Sequence, residues 1–144
     1  MAHRDSLAAA GPTPEQHKLV DAAFEVRQKA YAPYSHFLVG AALLTEDGTV
    51  FKGCNVENVS YGATVCAERT AVFAAVAAGH RKFTAIAVIA DLPAPITPCG
   101  LCRQVLAEFG LDTVVIGANL KREMTIATVG ALLPAAFAFD PSKV

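Results

Sequence analysis

The stretch VCAERTAVFAAVAAGHRKFTAIAVIA, residues 65–90, decides the fold of this chain. Its first part, residues 65–78, is rich in alanine, lacks Gly and Pro, and ends before Gly79, which is typical of a buried helix with a C-terminal glycine. Its last part, residues 83–90, is an apolar run with β-branched residues, which predicts a strand buried on both faces. A buried helix followed by a buried strand indicates a layered α/β domain.

A helix is predicted upstream of this stretch, from Thr13 to about Ala30. Thr13 can cap the N-terminus, Pro14 suits the first helical position, and Gln16 can reach back to complete a capping box. Asp47-Gly48 then separates two short apolar segments, which predicts a β-hairpin. Downstream, the pattern predicts a helix over 99–109, strands over 113–117 and 124–127, and a short helix over 129–133.

Helices that alternate with buried strands predict an α/β fold with a mixed sheet. We find no internal repeat and no low-complexity linker. Residues 1–11 are expected to form a flexible N-terminal tail, and residues 12–144 a single domain, because 144 residues suffice for one core.

The composition is apolar for a small domain. Hydrophobic residues make up 53% and charged residues 17%, and the mean hydropathy is +0.40. No run of about 18 uncharged apolar residues appears, which argues against a membrane span. No export signal is visible at the start of the chain. We therefore expect a cytoplasmic protein that buries one face against copies of itself.

The net charge and the distribution of basic residues limit the binding partners that we expect. The net charge is −1, and Lys and Arg are scattered singly rather than grouped in a basic stripe. Nucleic acid and membrane surfaces are therefore not expected as partners. A small neutral ligand is expected instead. The four cysteines, in a chain without an export signal, favour metal binding or catalysis over disulfides.

Two segments carry the predicted chemistry, Cys66-Ala67-Glu68 and Pro98-Cys99-Gly100-Leu101-Cys102. Each lies where a helix is expected to begin. Cys99 and Cys102 are three residues apart on one helical turn, so both sulfurs can face one point, and Cys66 can supply a third. Three protein ligands with one open position are typical of catalytic zinc. We expect one Zn²⁺ per chain.

Glu68 and Arg69 are expected to complete this site. Three thiolates outweigh the charge of one Zn²⁺, and two helix N-termini together with Arg69 can offset the excess. Glu68 follows a ligand by two residues and is expected at the open position, where it can move protons between water and substrate.

Other interpretations of these residues stay open at this point. Cys99 and Cys102 alone could form a thioredoxin-like redox pair. Cys54 could join the other three in a structural four-cysteine zinc site, although we expect it in the core. Glu68 could be a surface carboxylate near a helix start, and Arg69 a solvated helix charge.

A wider set of segments resembles the small homotetrameric zinc-dependent cytidine deaminases. Zinc deaminases combine a three-ligand metal, a glutamate that is not a ligand, and a Pro-Cys-x-x-Cys segment. The resemblance spans roughly residues 13–137. The matching segments are Ser35-His36-Phe37 with Val39-Gly40-Ala41-Ala42, Gly53-Cys54-Asn55-Val56-Glu57-Asn58, Cys66-Ala67-Glu68-Arg69-Thr70-Ala71, Pro98-Cys99-Gly100-Leu101-Cys102-Arg103-Gln104 and Leu132-Leu133-Pro134.

The resemblance implies a three-layer α/β/α fold with a mixed, mostly five-stranded sheet. It assigns ribose binding to Asn55 and Glu57, which as alternate residues of an extended segment can face one side. It assigns packing against the base to Phe37 and backbone contact to Ala67. It also implies a homotetramer whose sites are shared between subunits, with Tyr61 and Phe137 placed where such shared residues lie.

The implied activity is zinc-dependent hydrolytic deamination of cytidine or deoxycytidine to uridine or deoxyuridine, with release of ammonia, in pyrimidine salvage. A deaminase of a cytosine-containing antibiotic such as blasticidin is a related possibility, against which the retained pair Asn55 and Glu57 argues. Deaminases of nucleotides or nucleic acid generally place His where Cys66 stands and need basic residues for phosphate. A free nucleoside is therefore the expected substrate. A dithiol oxidoreductase and a non-catalytic zinc domain remain as alternatives.

Overall fold

The computed structural model describes residues 11–143, which contain five strands and four α-helices. The strands are β1 (Val39–Thr45), β2 (Val50–Cys54), β3 (Phe83–Ala90), β4 (Val114–Asn119) and β5 (Met124–Thr128). The helices are α1 (Pro14–Arg27), α2 (Ala67–Ala77), α3 (Gly100–Phe109) and α4 (Val129–Leu132). Short 3₁₀ turns occur at Tyr61–Ala63 and Pro141–Lys143.

All five strands form one mixed sheet in the order β2-β1-β3-β4-β5. β1 pairs antiparallel with both β2 and β3, β3 pairs parallel with β4, and β5 is antiparallel to β4. The parallel pair is joined through α3, as parallel strands require a crossover. The hairpin predicted at Asp47-Gly48 is confirmed, and Gly48 has the positive φ of 89° that favours glycine in such a turn.

Helices cover both faces of the sheet, because successive residues of each central strand point to opposite sides. α1 packs on one face, against Ala87, Ile89 and Ile116. α2, α3 and α4 pack on the other face, against Ile86, Val88 and Val115. The expected three-layer α/β/α fold with a five-stranded mixed sheet is therefore confirmed, and β3 is buried on both sides over most of its length.

One glycine brings the start of α2 close to the sheet. A Cβ atom on Gly53 of β2 would lie 2.4 Å from the backbone nitrogen of Ala71 and 2.5 Å from the carbonyl oxygen of Ala67. Any larger residue would therefore push the first turns of α2 away from β2. Gly53 thus sets the position of the helix end that carries Cys66 and Glu68.

The predicted start of α1 is confirmed. The Gln16 amide donates to Thr13 Oγ1 at 3.2 Å, and the Thr13 amide donates to Gln16 Oε1 at 2.9 Å. The helix ends at Arg27 rather than near Ala30. The amides of Lys29 and Ala30 instead bond three residues back, to Val26 and Arg27, in a tight turn.

The structure leaves the domain prediction untested. Residues 1–10 of the predicted tail lie outside the described residues, so the division into a tail over 1–11 and a domain over 12–144 stays a prediction. Among residues 11–143, no helix combines the length and the apolar character needed to cross a membrane.

Candidate active site

The three predicted sulfur ligands meet at the N-termini of two neighbouring helices. Cys66 is the N-cap residue of α2, Cys99 is the N-cap residue of α3, and Cys102 lies in the first turn of α3. The Sγ atoms of Cys66 and Cys99 are 3.8 Å apart, and those of Cys99 and Cys102 are 3.5 Å apart. All three sulfurs lie within 4.8 Å of one another.

This spacing matches the requirement of a tetrahedral metal site. A Zn–S bond of about 2.3 Å places two sulfurs of a tetrahedron about 3.8 Å apart. Three thiolate donors at this separation fit one zinc ion per chain and leave the fourth corner free of protein ligands. Cys54 does not belong to this cluster and is half-buried at the end of β2, so the four-cysteine alternative is wrong.

Positive charge faces the sulfur cluster, as the sequence predicts. Arg69 lies in the first turn of α2, and Nη2 of its guanidinium donates to Cys66 Sγ at 3.4 Å. Hydrogen bonds from the Cys102 thiol and from Arg69 lower the pKa of Cys66 to about 5. Two helix N-termini add partial positive charge at the same point. These contacts stabilise the thiolate of Cys66, which is the form that binds metal.

Glu68 is buried beside the cluster, with only 4% of its surface exposed. Burial raises the pKa of its carboxyl, and the negative charge of Cys66 raises it further. A raised pKa makes the populations of the protonated and ionised carboxyl more nearly equal near neutral pH. A group that both accepts and donates protons during a reaction needs both forms. The surface-carboxylate interpretation of Glu68 is therefore wrong.

A cavity of about 190 Å³ opens over Cys66, Cys99 and Glu68. Six of the predicted site residues line it, and four further residues, to which the sequence analysis assigns no role, complete its wall. The predicted ones are Phe37, Asn55, Cys66, Ala67, Glu68 and Cys99, and the further ones are Val39, Thr64, Ile96 and Thr97. Thr64 and Thr97 each stand two residues before a cysteine of the cluster, a repeated spacing that could have indicated them.

Asn55 connects this cavity to the strand beside it. Its Oδ1 accepts from the Val39 amide at 2.9 Å, and its Nδ2 donates to the Phe37 carbonyl at 2.7 Å. An asparagine side chain offers two N–H donors and two acceptor sites. One donor and one acceptor site of Asn55 therefore remain for a ligand, while the other two hold the backbone of Phe37 and Val39 in place.

A second, more open cavity of about 340 Å³ lies next to the first and shares Thr64 with it. Its wall consists of Tyr34, Ser35, Glu57, Tyr61 and Thr64. The Glu57 carboxylate accepts from the amides of Tyr34 and Ser35, at 2.9 and 3.1 Å, and from the Ser35 hydroxyl. The Ser35 hydroxyl and these amides lower the pKa of Glu57.

Two predicted residues lie apart from the sulfur cluster. The side chains of Tyr61 and Phe137 are 76% and 78% exposed, respectively. Tyr61 lines the second cavity, where it meets the edge of the Tyr34 ring at a centroid distance of 5.9 Å. Phe137 lines neither cavity, and its carbonyl accepts from Gln104 Nε2 at 3.1 Å. Within one chain, the structure does not bring Phe137 to the site.

Comparison with known proteins agrees with this geometry. Residues 13–118 match the model of the cytidine and deoxycytidylate deaminase zinc-binding region. A cytidine deaminase of Sporosarcina psychrophila is 54% identical over 121 residues, which cover 83% of this chain and 89% of that protein. A cytidine deaminase of Halalkalibacterium halodurans is 52% identical over 124 residues, covering 85% of this chain and 94% of that protein.

Among solved structures, the cytidine deaminase of Burkholderia pseudomallei superposes with a TM-score of 0.83 at 55% sequence identity. The superposition covers 84% of this chain and 98% of that one. The matched region contains the sulfur cluster, Glu68 and the cavity above them. The chain therefore belongs to the cytidine and deoxycytidylate deaminase zinc-binding family.

Proposed function

We propose that this protein deaminates cytidine or deoxycytidine by hydrolysis, giving uridine or deoxyuridine and ammonia. One observation carries the proposal: three sulfurs lie within 4.8 Å of one another, and two of the cysteines that carry them, Cys66 and Cys99, line one cavity with the buried Glu68. In the reaction, water adds an oxygen to C4 of the base, the bond from C4 to the amino nitrogen breaks, and the nitrogen leaves as ammonia.

Cys66, Cys99 and Cys102 would hold the zinc ion. When bound at such a site, zinc acts as a Lewis acid that makes water a stronger acid and a nucleophile near neutral pH. Arg69 and the two helix N-termini offset the charge of three thiolates, which keeps the metal site electrophilic.

Glu68 moves the protons in this mechanism. Its carboxylate takes a proton from the attacking water and delivers it to N3 of the pyrimidine ring. It then takes the second proton of the water and gives it to the amino nitrogen that leaves. The raised pKa of Glu68 suits this double role, because the group must bind and release a proton in each cycle.

The remaining cavity residues would orient the nucleoside. Phe37 can pack against the base, and the backbone of Ala67 can contact its polar edge. Asn55 has a free donor and acceptor for a sugar hydroxyl, and the Glu57 carboxylate in the adjoining cavity can accept from another. These assignments rest on the family resemblance and on the positions of the residues around the two cavities.

The lining of the cavities supports a free nucleoside as the substrate. Among the described residues, neither cavity is lined by Lys or Arg, while Glu57 contributes a negative charge. A 5′-phosphate would find no cation there and would meet repulsion from that carboxylate. Salvage of free pyrimidine nucleosides is the role that agrees with this substrate class.

We also propose a homotetramer with sites shared between subunits, in the cytoplasm. Support comes from the exposed aromatic rings of Tyr61, Phe73, Phe137 and Phe139, all of which are at least 49% exposed. Aromatic side chains are enriched at protein–protein interfaces relative to the rest of the surface. The cytoplasmic location is supported by four unpaired cysteines, which a reducing compartment preserves.

The proposed function is tested by measuring metal content and turnover on the same sample. We expect about one zinc per chain, loss of cytidine absorbance, and one ammonia for each uridine formed. Cytidine monophosphate and blasticidin serve as competing substrates and should react far more slowly. Zinc binding without deamination of any nucleoside would favour a non-catalytic zinc domain. Reversible oxidation of Cys99 and Cys102 without bound metal would favour a dithiol oxidoreductase.

A further inference from the structure

Arg103, the residue after Cys102, makes three hydrogen bonds that bind separate parts of the chain together. Its Nε donates to the Pro98 carbonyl at 2.7 Å, its Nη1 donates to the Leu132 carbonyl at 2.6 Å, and its Nη2 donates to Thr97 Oγ1 at 3.3 Å. Hydrogen bonds from a charged guanidinium are stronger than those between neutral groups. Arg103 therefore joins the loop before α3 to the C-terminal end of α4.

The loop that Arg103 holds carries both metal and substrate residues. Ile96 and Thr97 line the cavity, and Pro98 precedes Cys99, one of the three sulfur donors. Nη2 reaches the side chain of a residue in the cavity wall, and Nε reaches the peptide group that leads into Cys99. A change in the guanidinium position would therefore move the wall and the sulfur together.

Besides Arg103, Asn119 holds the start of this loop, because its Nδ2 donates to the Pro93 carbonyl at 3.3 Å. The loop contains Pro93, Pro95 and Pro98, which have no backbone N–H to donate. In the part of the chain from 11 to 143, the hydrogen bonds made to residues 94–98 come from Arg103 alone. Cys99 also makes no capping bond to its own helix with its side chain.

Close packing against the sheet also supports the loop. A Cβ atom on Gly117 of β4 would lie 1.9 Å from the Ile96 carbonyl oxygen, so the loop backbone rests directly on the strand. The loop thus contacts both β4 and the Arg103 guanidinium. Backbone packing limits its approach to the sheet, and Arg103 limits its movement away from α3.

We propose that Arg103 is the positioning residue that keeps Cys99 in reach of the metal and Thr97 in the cavity wall. It touches neither metal nor substrate and acts through the Thr97–Pro98 segment. The part of this inference that concerns substrate binding rests on the proposed function. The part that concerns the metal is tested by the rate at which zinc leaves the protein, which can be measured whether or not cytidine is deaminated.

The test compares zinc-loaded wild type with Arg103→Met, Arg103→Lys and the control Arg81→Met. Arg81 suits the control because it also donates to two backbone carbonyls, those of Val76 and His80 at 2.9 Å, but lies at the far end of α2. Zinc transfer to a colorimetric chelator gives the release rate. The thiolate-to-metal absorption of the cobalt-substituted protein reports the sulfur geometry.

We expect Arg103→Met to release zinc about tenfold faster than wild type, the usual scale for losing a group that orients a metal ligand. The KM for cytidine should rise while kcat falls less, and the cobalt absorption should shift. Arg103→Lys should give intermediate values in these measurements, because the lysine ammonium can replace only some of the hydrogen bonds of the planar guanidinium. Arg81→Met should match wild type in all of these measurements.

The proposal is overturned if Arg103→Met only lowers the melting temperature and matches Arg81→Met in zinc release, KM and cobalt absorption. If Arg103→Met does not fold, Arg103→Lys and Thr97→Val take its place, and wild-type values in both overturn the proposal. A wild type that binds zinc but leaves cytidine unchanged contradicts the proposed function instead, and the zinc-release comparison then decides the role of Arg103 separately.

Discussion

Glu68 and Glu57 are the same kind of group in adjoining cavities, yet their surroundings change their acidity in opposite directions. Glu68, buried against the sulfur cluster, has a raised pKa because burial disfavours its charge. Glu57, in the open cavity, has a lowered pKa because it accepts hydrogen bonds from Ser35 and Tyr34. The first environment suits a carboxyl that exchanges protons, and the second suits one that stays ionised and binds donors.

The two regions also differ in how complete they are within one chain. The reaction centre, which we define as Cys66, Glu68, Cys99 and Cys102, is formed by two helix ends packed on the sheet. The open cavity is formed by loops, and Tyr61 on its wall is 76% exposed. Changes in the reaction centre should therefore act on metal and kcat, and changes around the open cavity on KM and assembly.

The largest effect is expected from Cys102→Ser. Cys102 is fully buried and supplies one of three sulfurs, so its loss should remove the zinc and reduce turnover to background. Metal analysis and the cytidine assay check this. Cys54→Ser is the matched control, because Cys54 lies outside the cluster, and it should keep both zinc and activity. A zinc-loaded, active Cys102→Ser would contradict the metal assignment.

Glu68→Gln should have the next largest effect. The amide has almost the same shape but cannot transfer protons, so kcat should fall by about 10²- to 10⁴-fold while zinc content stays at one per chain. Glu108→Gln, on the exposed side of α3, serves as the control and should match wild type. Full activity, or loss of zinc, in the Glu68 variant would rule out the proton-transfer role.

Phe137→Ala tests whether a neighbouring subunit completes the open cavity. Its side chain is 78% exposed in one chain, so the variant should fold normally, with a change in unfolding free energy of about 0.5 kcal/mol or less. If the ring reaches a neighbour's site, KM should rise several-fold with little change in kcat. Sedimentation and steady-state kinetics measure both properties. An unchanged KM in an intact tetramer would show that Phe137 is not shared.

The smallest effect is expected from Glu57→Gln, followed as thermal stability against pH. The folded pKa of Glu57 lies below its unfolded value, so its stabilisation is fully present above about pH 4.3, the unfolded value, and disappears as pH falls through the folded pKa. The melting temperature of wild type should exceed that of Glu57→Gln near pH 7, and the gap should close in acid. A gap that persists at the lowest pH would show that ionisation of Glu57 is not its cause.

Much of the fold and the reaction centre could be predicted from the chain. The capping box of Thr13 and Gln16, the Asp47-Gly48 turn and the bounds of β3 depend on neighbours close in sequence. Cys99 and Cys102 share one helical turn, so helical geometry alone brings their sulfurs together.

The rest depended on contacts between distant residues. Cys66 and Cys99 are 33 residues apart in sequence. Their sulfurs meet because α2 and α3 pack on the same face of the sheet. No local pattern distinguishes Arg103 from the other arginines, because its partners Pro98 and Leu132 reach it through the fold. The proposed sharing of Tyr61 and Phe137 between subunits involves contacts that a single chain does not contain.

The sequence by itself therefore determined which groups this protein brings to its chemistry: three thiols, a carboxylate and a guanidinium, each at a predictable helix start. Only the tertiary structure decided their acidity and their neighbours, because burial and hydrogen bonding arise when separate elements pack. That is why Glu68 and Glu57, eleven residues apart and alike in chemistry, have pKa values shifted in opposite directions.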